Sequence, residues 1–187
     1  MIVIAGPNGS GKTTFARKYL KNYLFYGEFV NADLISQGIS PLNPEKAAME
    51  AGKLMLRKIK SLAVKKIDFS FETTLAGRAY LNIFREIRKN GYRIDIVYLY
   101  IPAPDFSIQR IRERVKHGGH NVEDADVRRR FYRGLYNLFN VYWDIADGIE
   151  ILDNSGLAPE TVASKNAVSL RVFDALKFDK MKEMSRL

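Results

Sequence analysis

Cysteine is absent from the 187 residues, which excludes disulfides, thiolate zinc sites and a thiol nucleophile. Histidine is nearly absent: His117 and His120 are the only two, which argues against a zinc role for His120. No run of about eighteen apolar residues occurs, so no membrane span is expected. The opening apolar stretch is only a few residues long and no basic segment precedes it, so no secretory leader is expected and a cytoplasmic location fits. Acidic residues are outnumbered, 21 against 30 Lys and Arg, and the resulting charge of +9 suits a polyanionic partner such as a nucleotide or a nucleic acid. What remains is ordinary for a folded globular chain. Hydrophobic residues make up 47% and charged ones 27%, which excludes a disordered tail or a collagen-like fibre.

Short apolar runs alternate with longer stretches of helical period, the pattern of a parallel sheet covered by helices. Strands are predicted at Ile2–Ala5, Glu28–Asn31, Ile67–Phe71, Arg93–Ile101 and Ile149–Leu152. Helices are predicted at about Lys12–Asn22, Glu45–Val64, Gly77–Asn90, Asp105–His117 and Asp124–Tyr142, with one or two more between Pro159 and Met184. The stretch Ala32–Pro44, with two prolines and a glycine, reads as a loop. The expectation is one α/β domain over residues 1–187, a three-layer sandwich with a five-stranded parallel sheet, helices on both faces and a helical lid at about residues 104–135.

Gly6-Pro7-Asn8-Gly9-Ser10-Gly11-Lys12-Thr13 fits the phosphate-loop pattern G-x-x-x-x-G-K-[ST] without deviation, between a predicted strand and a predicted helix. The chemistry dictates these residues. Glycines permit backbone angles and close approach that a side chain blocks, and the exposed N–H groups at the helix start converge on phosphates. Lys12 reaches the outer phosphates, and the Thr13 hydroxyl is the expected Mg²⁺ ligand. Thr14 completes the nucleotide-binding stretch.

The strand Ile94–Ile101 runs into Pro102 without the terminal acid of a motor ATPase. Neither Leu-Ser-Gly-Gly-Gln nor Asn-Lys-x-Asp is present, so transporter ATPases and guanine-reading GTPases are excluded. A small phosphotransferase remains. Asp33 and Glu72 follow the second and third strands, where ligands of an open parallel sheet sit, and an acid there can orient or deprotonate an acceptor hydroxyl. Two helices joined at Gly118-Gly119 carry arginines beside their apolar stripes. Arg114 and Arg130 are the pair expected to close onto the transferring phosphoryl group.

These residues resemble the zeta-toxin-like P-loop kinases, in a compact bacterial form. The shared segments are Gly-Pro-Asn-Gly-Ser-Gly-Lys-Thr-Thr, Asn31-Ala-Asp33, Glu72-Thr-Thr-Leu-Ala-Gly-Arg78, Arg114-Val-x-x-Gly-Gly-His120 and Asp153-Asn-Ser155. The resemblance implies transfer of the γ-phosphate of ATP or GTP, with Mg²⁺, to a hydroxyl of a small molecule such as UDP-N-acetylglucosamine. It further implies Asp33 as base, Lys12, Arg114 and Arg130 on the phosphates, Glu72, Thr74, Arg78 and His120 toward the acceptor, and an antitoxin protein as partner. The +9 charge and the basic run Lys53–Lys66 leave a nucleic-acid end kinase as an alternative. A nucleotide-gated interaction module with slow ATPase activity is the other.

Overall fold

The computed structural model describes residues 1–19, 27–119 and 121–186. Its sheet follows the order β2-β3-β1-β4-β5-β6-β7. The strands are β1 (Ile2–Ala5), β2 (Glu28–Val30), β3 (Phe69–Thr73), β4 (Asp95–Tyr100), β5 (Gly148–Asp153), β6 (Glu160–Lys165) and β7 (Leu170–Val172). The first five run parallel, as expected from the sequence. The expected five-stranded sheet is corrected to seven, because β6 and β7 extend it as an antiparallel hairpin.

That hairpin occupies sequence expected to be helical. Its turn is set by Asn166, whose Oδ1 accepts from the Val168 and Ser169 amides, both at 2.9 Å. Only Val162 and Ala163 of β6 are buried, so the strand has little hydrophobic alternation to announce it.

The helices are α1 (Lys12–Tyr19), α2 (Ala32–Ile39), α3 (Ala48–Val64), α4 (Ala79–Lys89), α5 (Pro104–Lys116), α6 (Asp124–Asn137) and α7 (Ala175–Met184). A π-helical turn at Leu138–Tyr142 continues α6. The expected extension of α1 to Asn22 lies outside the described residues. The expected loop after β2 is a helix, α2. Asn31 caps it, its Oδ1 accepting from Asp33 N at 2.8 Å and Leu34 N at 3.1 Å.

Side-chain alternation divides the core between the two faces of the sheet. Val3, Ala5, Ile96, Tyr98 and Ile151 join α3, α4, α6 and α7 in the main cluster. Ile4 and Leu99 point to the opposite face and pack with Ala16 of α1. Ile108, Ile111 and Val127 form a small core of their own between α5 and α6. β1 hydrogen-bonds to β3 on one side and β4 on the other. The crossovers diverge there, which is where an open α/β sheet leaves its crevice.

Candidate active site

The site begins at Ala5, where β1 ends and the phosphate loop turns toward α1. Gly6 adopts φ +141°, and a Cβ there would lie 2.5 Å from the Leu99 carbonyl oxygen. Gly11, at φ +84°, would carry its Cβ to 2.7 Å from Asn154 Nδ2. Conformation and space both require glycine at Gly6; at Gly11 the requirement is conformational, since the near atom is a side-chain end.

Asn154 Nδ2 donates to the Ser10 carbonyl at 2.7 Å. Arg110 of α5 in turn donates to the carbonyls of Asn154 (2.9 Å) and Ser155 (3.0 Å). The loop is therefore clamped by the turn after β5 and, through it, by α5. The motif Asp153-Asn-Ser155 was legible in the sequence. Arg110 carries no such signal, because its partners are backbone carbonyls that leave no sequence signature.

Lys12 curls over the loop and donates to the carbonyls of Gly6 (2.9 Å) and Pro7 (2.8 Å). Burial lowers its pKa to about 8. Glu72 and Asp33 pull it back up, and Arg114 and Arg130 push it further down. Thr13 Oγ1 donates to Glu72 Oε2 at 3.0 Å. Burial raises the Glu72 carboxyl above the usual range, against the Lys12 charge and the Thr13 hydrogen bond. The other oxygen, Oε1, is buried and has no partner among the described residues, and the same holds for Asn8 Oδ1.

Asp33 stands in the first turn of α2, held there by the Asn31 cap. Asn8, Lys12, Asp33, Glu72, Thr74 and Arg130 line one cavity of about 190 Å³ at the carboxyl ends of β1, β2 and β3. Thr74 begins a taut loop: Leu75 is buried at φ +55°, its N–H bonded to Thr73 Oγ1 at 3.0 Å and its carbonyl to Asn137 Nδ2 at 2.7 Å. α6 approaches so closely that a Cβ on Gly134 would come within 2.6 Å of the Thr74 carbonyl. Arg130, one helical turn before Gly134, is thereby brought over the cavity. Its Nη2 donates to Asp126 at 3.1 Å.

The Gly118-Gly119 pair is a helix C-cap. Gly118 takes φ +80°, its N–H bonds Val115 O at 3.0 Å, and Gly119 N–H bonds Arg114 O at 3.0 Å. Arg114 thus sits in the last turn of α5. One turn beyond Asp33 on α2, Gln37 borders a second, larger, open cavity of about 750 Å³, lined also by Asn43, Lys46, Gly119 and Asn121.

Not every expected site residue is found at the cavity that Lys12 lines. Arg114 is not among the residues lining it, although its charge acts on Lys12. Arg78 lies over the Tyr136 ring, 5.9 Å from its centroid, and not among the lining residues. Thr14 is exposed on α1. His120 lies outside the described residues. Asn31 stood in the sequence only as part of the Asn31-Ala-Asp33 segment, without a role of its own; the structure makes it the cap of α2. Its signal was an amide directly after a strand and two residues before an acid.

The donor set suits Mg²⁺. The ion is commonly held by one or two protein oxygens together with substrate phosphates. Thr13 Oγ1 and the unpartnered, buried Glu72 Oε1 are oxygen donors of that kind.

A glycine-rich loop between β1 and α1, Asp33 just beyond β2, Glu72 near the end of β3 (inside the strand and not after it, as the sequence had suggested), and a helical pair after β4 define a P-loop nucleotide-binding fold of the kinase type. Residues 1–132 match the model of the AAA domain family, and the chain belongs to that family. It is 29% identical over 130 residues to an uncharacterized protein of Haemophilus influenzae, covering 70% of this chain and 91% of that protein.

Among solved structures it is similar to a chain of the PezAT chromosomal toxin-antitoxin system of Streptococcus pneumoniae. The TM-score is 0.71 at 16% identity, with 98% of this chain and 77% of that chain covered. It is also similar to the AvrRxo1-ORF1:AvrRxo1-ORF2 complex with ATP, with a TM-score of 0.75 at 15% identity. There 96% of this chain is covered, and it spans 62% of that chain. The resemblance to zeta-toxin-like P-loop kinases therefore holds in the fold. No helix among the described residues is long and apolar enough to cross a membrane.

Proposed function

We propose that the protein is a nucleotide-dependent kinase that transfers the γ-phosphate of ATP or GTP to a hydroxyl of a small molecule. The observation that carries this reading is the convergence of Lys12, Asp33, Glu72 and Arg130 on one cavity beside the phosphate loop. In this reading the loop amides and Lys12 bind the phosphates. Thr13 and Glu72 hold Mg²⁺, which neutralises charge on the phosphate oxygens when bound. The motif had suggested an acceptor contact for Glu72, but its hydrogen bond to Thr13 favours the metal side. Asp33 accepts the proton of the attacking hydroxyl, and Thr74 orients the acceptor. Arg114 and Arg130 meet the charge that shifts in the transition state, with residues 104–135 acting as the lid.

The 750 Å³ cavity beside Gln37 gives the acceptor room for more than a monosaccharide, which agrees with a nucleotide sugar such as UDP-N-acetylglucosamine. By likeness to the PezAT system, an antitoxin is the proposed protein partner. The end-kinase alternative rests on the basic run in α3, and two of those charges are already paired: Lys58 with Glu28 at 3.4 Å and Lys60 with Glu86 at 3.5 Å.

The test is ATP turnover against UDP-sugars, nucleosides and oligonucleotides, run beside Asp33→Asn. The amide keeps the shape and removes the proton-accepting charge. Mg-ATP binding by calorimetry is expected to stay within about twofold, while single-turnover transfer falls by about 10²–10⁴, the usual worth of a general base. Full transfer by the variant refutes the base assignment. Turnover unaffected by any acceptor favours the interaction-module alternative.

A further inference from the structure

The free edge of the sheet carries features that phosphoryl transfer does not use. β7 ends the strand order, and nothing among the described residues pairs with its outer side. Its inner ladder pairs Lys165 with Leu170, Ser164 with Arg171 and Ala163 with Val172. Phe173 N donates to Val162 O at 2.8 Å and Asn166 N to Ser169 O at 2.9 Å, in the same register. Antiparallel strands alternate between bonded and non-bonded pairs, so Arg171 is the β7 residue that bonds inward. The N–H and C=O groups of Leu170 and Val172 consequently face outward, a ready template for another strand.

The side chains around that edge are unusually apolar for a surface. All three residues of β7 are exposed. Val168 before it is 94% accessible, Phe173 after it 62% and Leu176 at the start of α7 86%. A cavity of about 280 Å³ opens beside the strand, bounded by Leu170, Phe139, Trp143, Lys182 and Arg186. The rings of Phe139 and Trp143 stack at 5.1 Å and make its apolar wall. Its rim is cationic, and Arg171 adds a third charge on the strand itself.

We propose that β7 is a docking edge that takes an extended segment of a partner protein, with alternating apolar and acidic side chains, as an added strand. Backbone bonds to Leu170 and Val172 supply the pairing, an apolar side chain enters the cavity beside Leu170 between Lys182 and Arg186, and the alternate acidic side chains fall on the opposite face of the sheet, where they meet Arg171. Charge selects this occupant over a second copy of the chain. Two β7 strands paired about their centre would set Arg171 directly opposite its own counterpart, and like charges so placed destabilise a sheet.

The experiment uses the full chain and a fluorescein-labelled eight-residue peptide of alternating Asp and Val, read by anisotropy and by hydrogen exchange. A Lys–Val peptide of equal length is the control. The Asp–Val peptide is expected to bind, to slow exchange at the Leu170 and Val172 amides, and to weaken as salt rises. Val172→Pro removes one outward donor and leaves the inward Arg171 bonds in place, so affinity should drop at least about tenfold. Arg171→Glu, which leaves the backbone alone, should reverse the preference between the two peptides and serves if the proline variant does not fold. Equal binding of both peptides, or unchanged exchange at Leu170 and Val172, overturns the proposal. So does protection of those amides that rises with protein concentration in the absence of peptide, because the edge then belongs to a second copy.

Discussion

Lys12 is held by two carbonyls of its own loop, and its charge is maintained against burial by the fields of Glu72 and Asp33. A pKa near 8 makes this lysine a proton acceptor when polyphosphate binds, because phosphate charge favours the ammonium form. The sign follows directly. Between pH 8 and the ordinary lysine range of about 10.5, the folded protein holds Lys12 largely neutral, whereas the nucleotide complex keeps it charged. Affinity for ATP should therefore fall as pH rises through about 8, with proton uptake on binding. Calorimetry at pH 8.5 in buffers of different ionisation heat measures that uptake directly, and Lys12→Ala should abolish it. Uptake that persists in the alanine variant would assign the proton to another group. The same group weakens the fold where the unfolded chain holds the proton and the folded one resists it. Its contribution to stability thus rises with pH between about 8 and 10.5.

Among the elements, α2 shows how a short helix can carry the proposed base, Asp33. Eight residues with a glycine among them have little helical propensity of their own, and the Asn31 side chain supplies the start. Asn31→Ala should cost about 1 kcal/mol, the usual worth of such a cap. It should also lower acceptor transfer, since the first turn that orients Asp33 frays, while Mg-ATP affinity holds because the phosphate loop is untouched. Asn31→Ser, which keeps a capping oxygen without adding a carboxylate beside Asp33 and Glu72, is expected to restore most of both. Chemical denaturation and single-turnover assays on the two variants separate this from a general loss of folding.

The same helix shows where sequence reading stops. The strands β1 to β5 and the helices α3 to α6 were legible because long apolar periodicities and a complete phosphate loop announce them. α2 was read as a loop because two prolines and a glycine outweighed a single capping side chain. The β6–β7 hairpin was missed because its strands bury almost nothing. At the site, Lys12 was recoverable from the phosphate-loop motif, and Asp33 and Glu72 from their places near the carboxyl ends of strands. The Thr13–Glu72 bond and the Arg110 clamp depend on contacts across 59 and about 45 residues, which no local pattern encodes.

Across the whole molecule, the C-terminal helix is joined to the phosphate loop through a single buried acid. Lys177 of α7 lies 2.8 Å from Asp153 and 3.3 Å from Asp174, and Asp153 also accepts from Ser155 N at 2.9 Å. Burial pushes the Asp153 carboxyl upward, but the bonds from Lys177 and Ser155 outweigh it and hold it below its usual value. From Asp153 the chain passes at once to Asn154, which grips Ser10. Lys177→Met should therefore do two things. It should lower Tm at neutral pH by leaving a buried carboxylate without its cation, though by less than for a fully buried pair, since Lys177 is 35% exposed. It should also weaken ATP binding several-fold by loosening the turn that clamps the phosphate loop. The pH dependence carries the sign. A carboxyl with a depressed folded pKa contributes stability above its unfolded value of about 3.9, lost as pH falls through the folded value. The Tm gap between wild type and variant should accordingly narrow as pH falls below about 3.9 and close at the lower pH where folded Asp153 takes up its proton. The double variant Lys177→Met with Asp153→Asn, which removes charge and counter-charge together, should recover part of the Tm. A gap that persists unchanged into acid would mean that Lys177 acts through the packing of its stem, and the link from α7 to the phosphate loop would then be steric and not ionic.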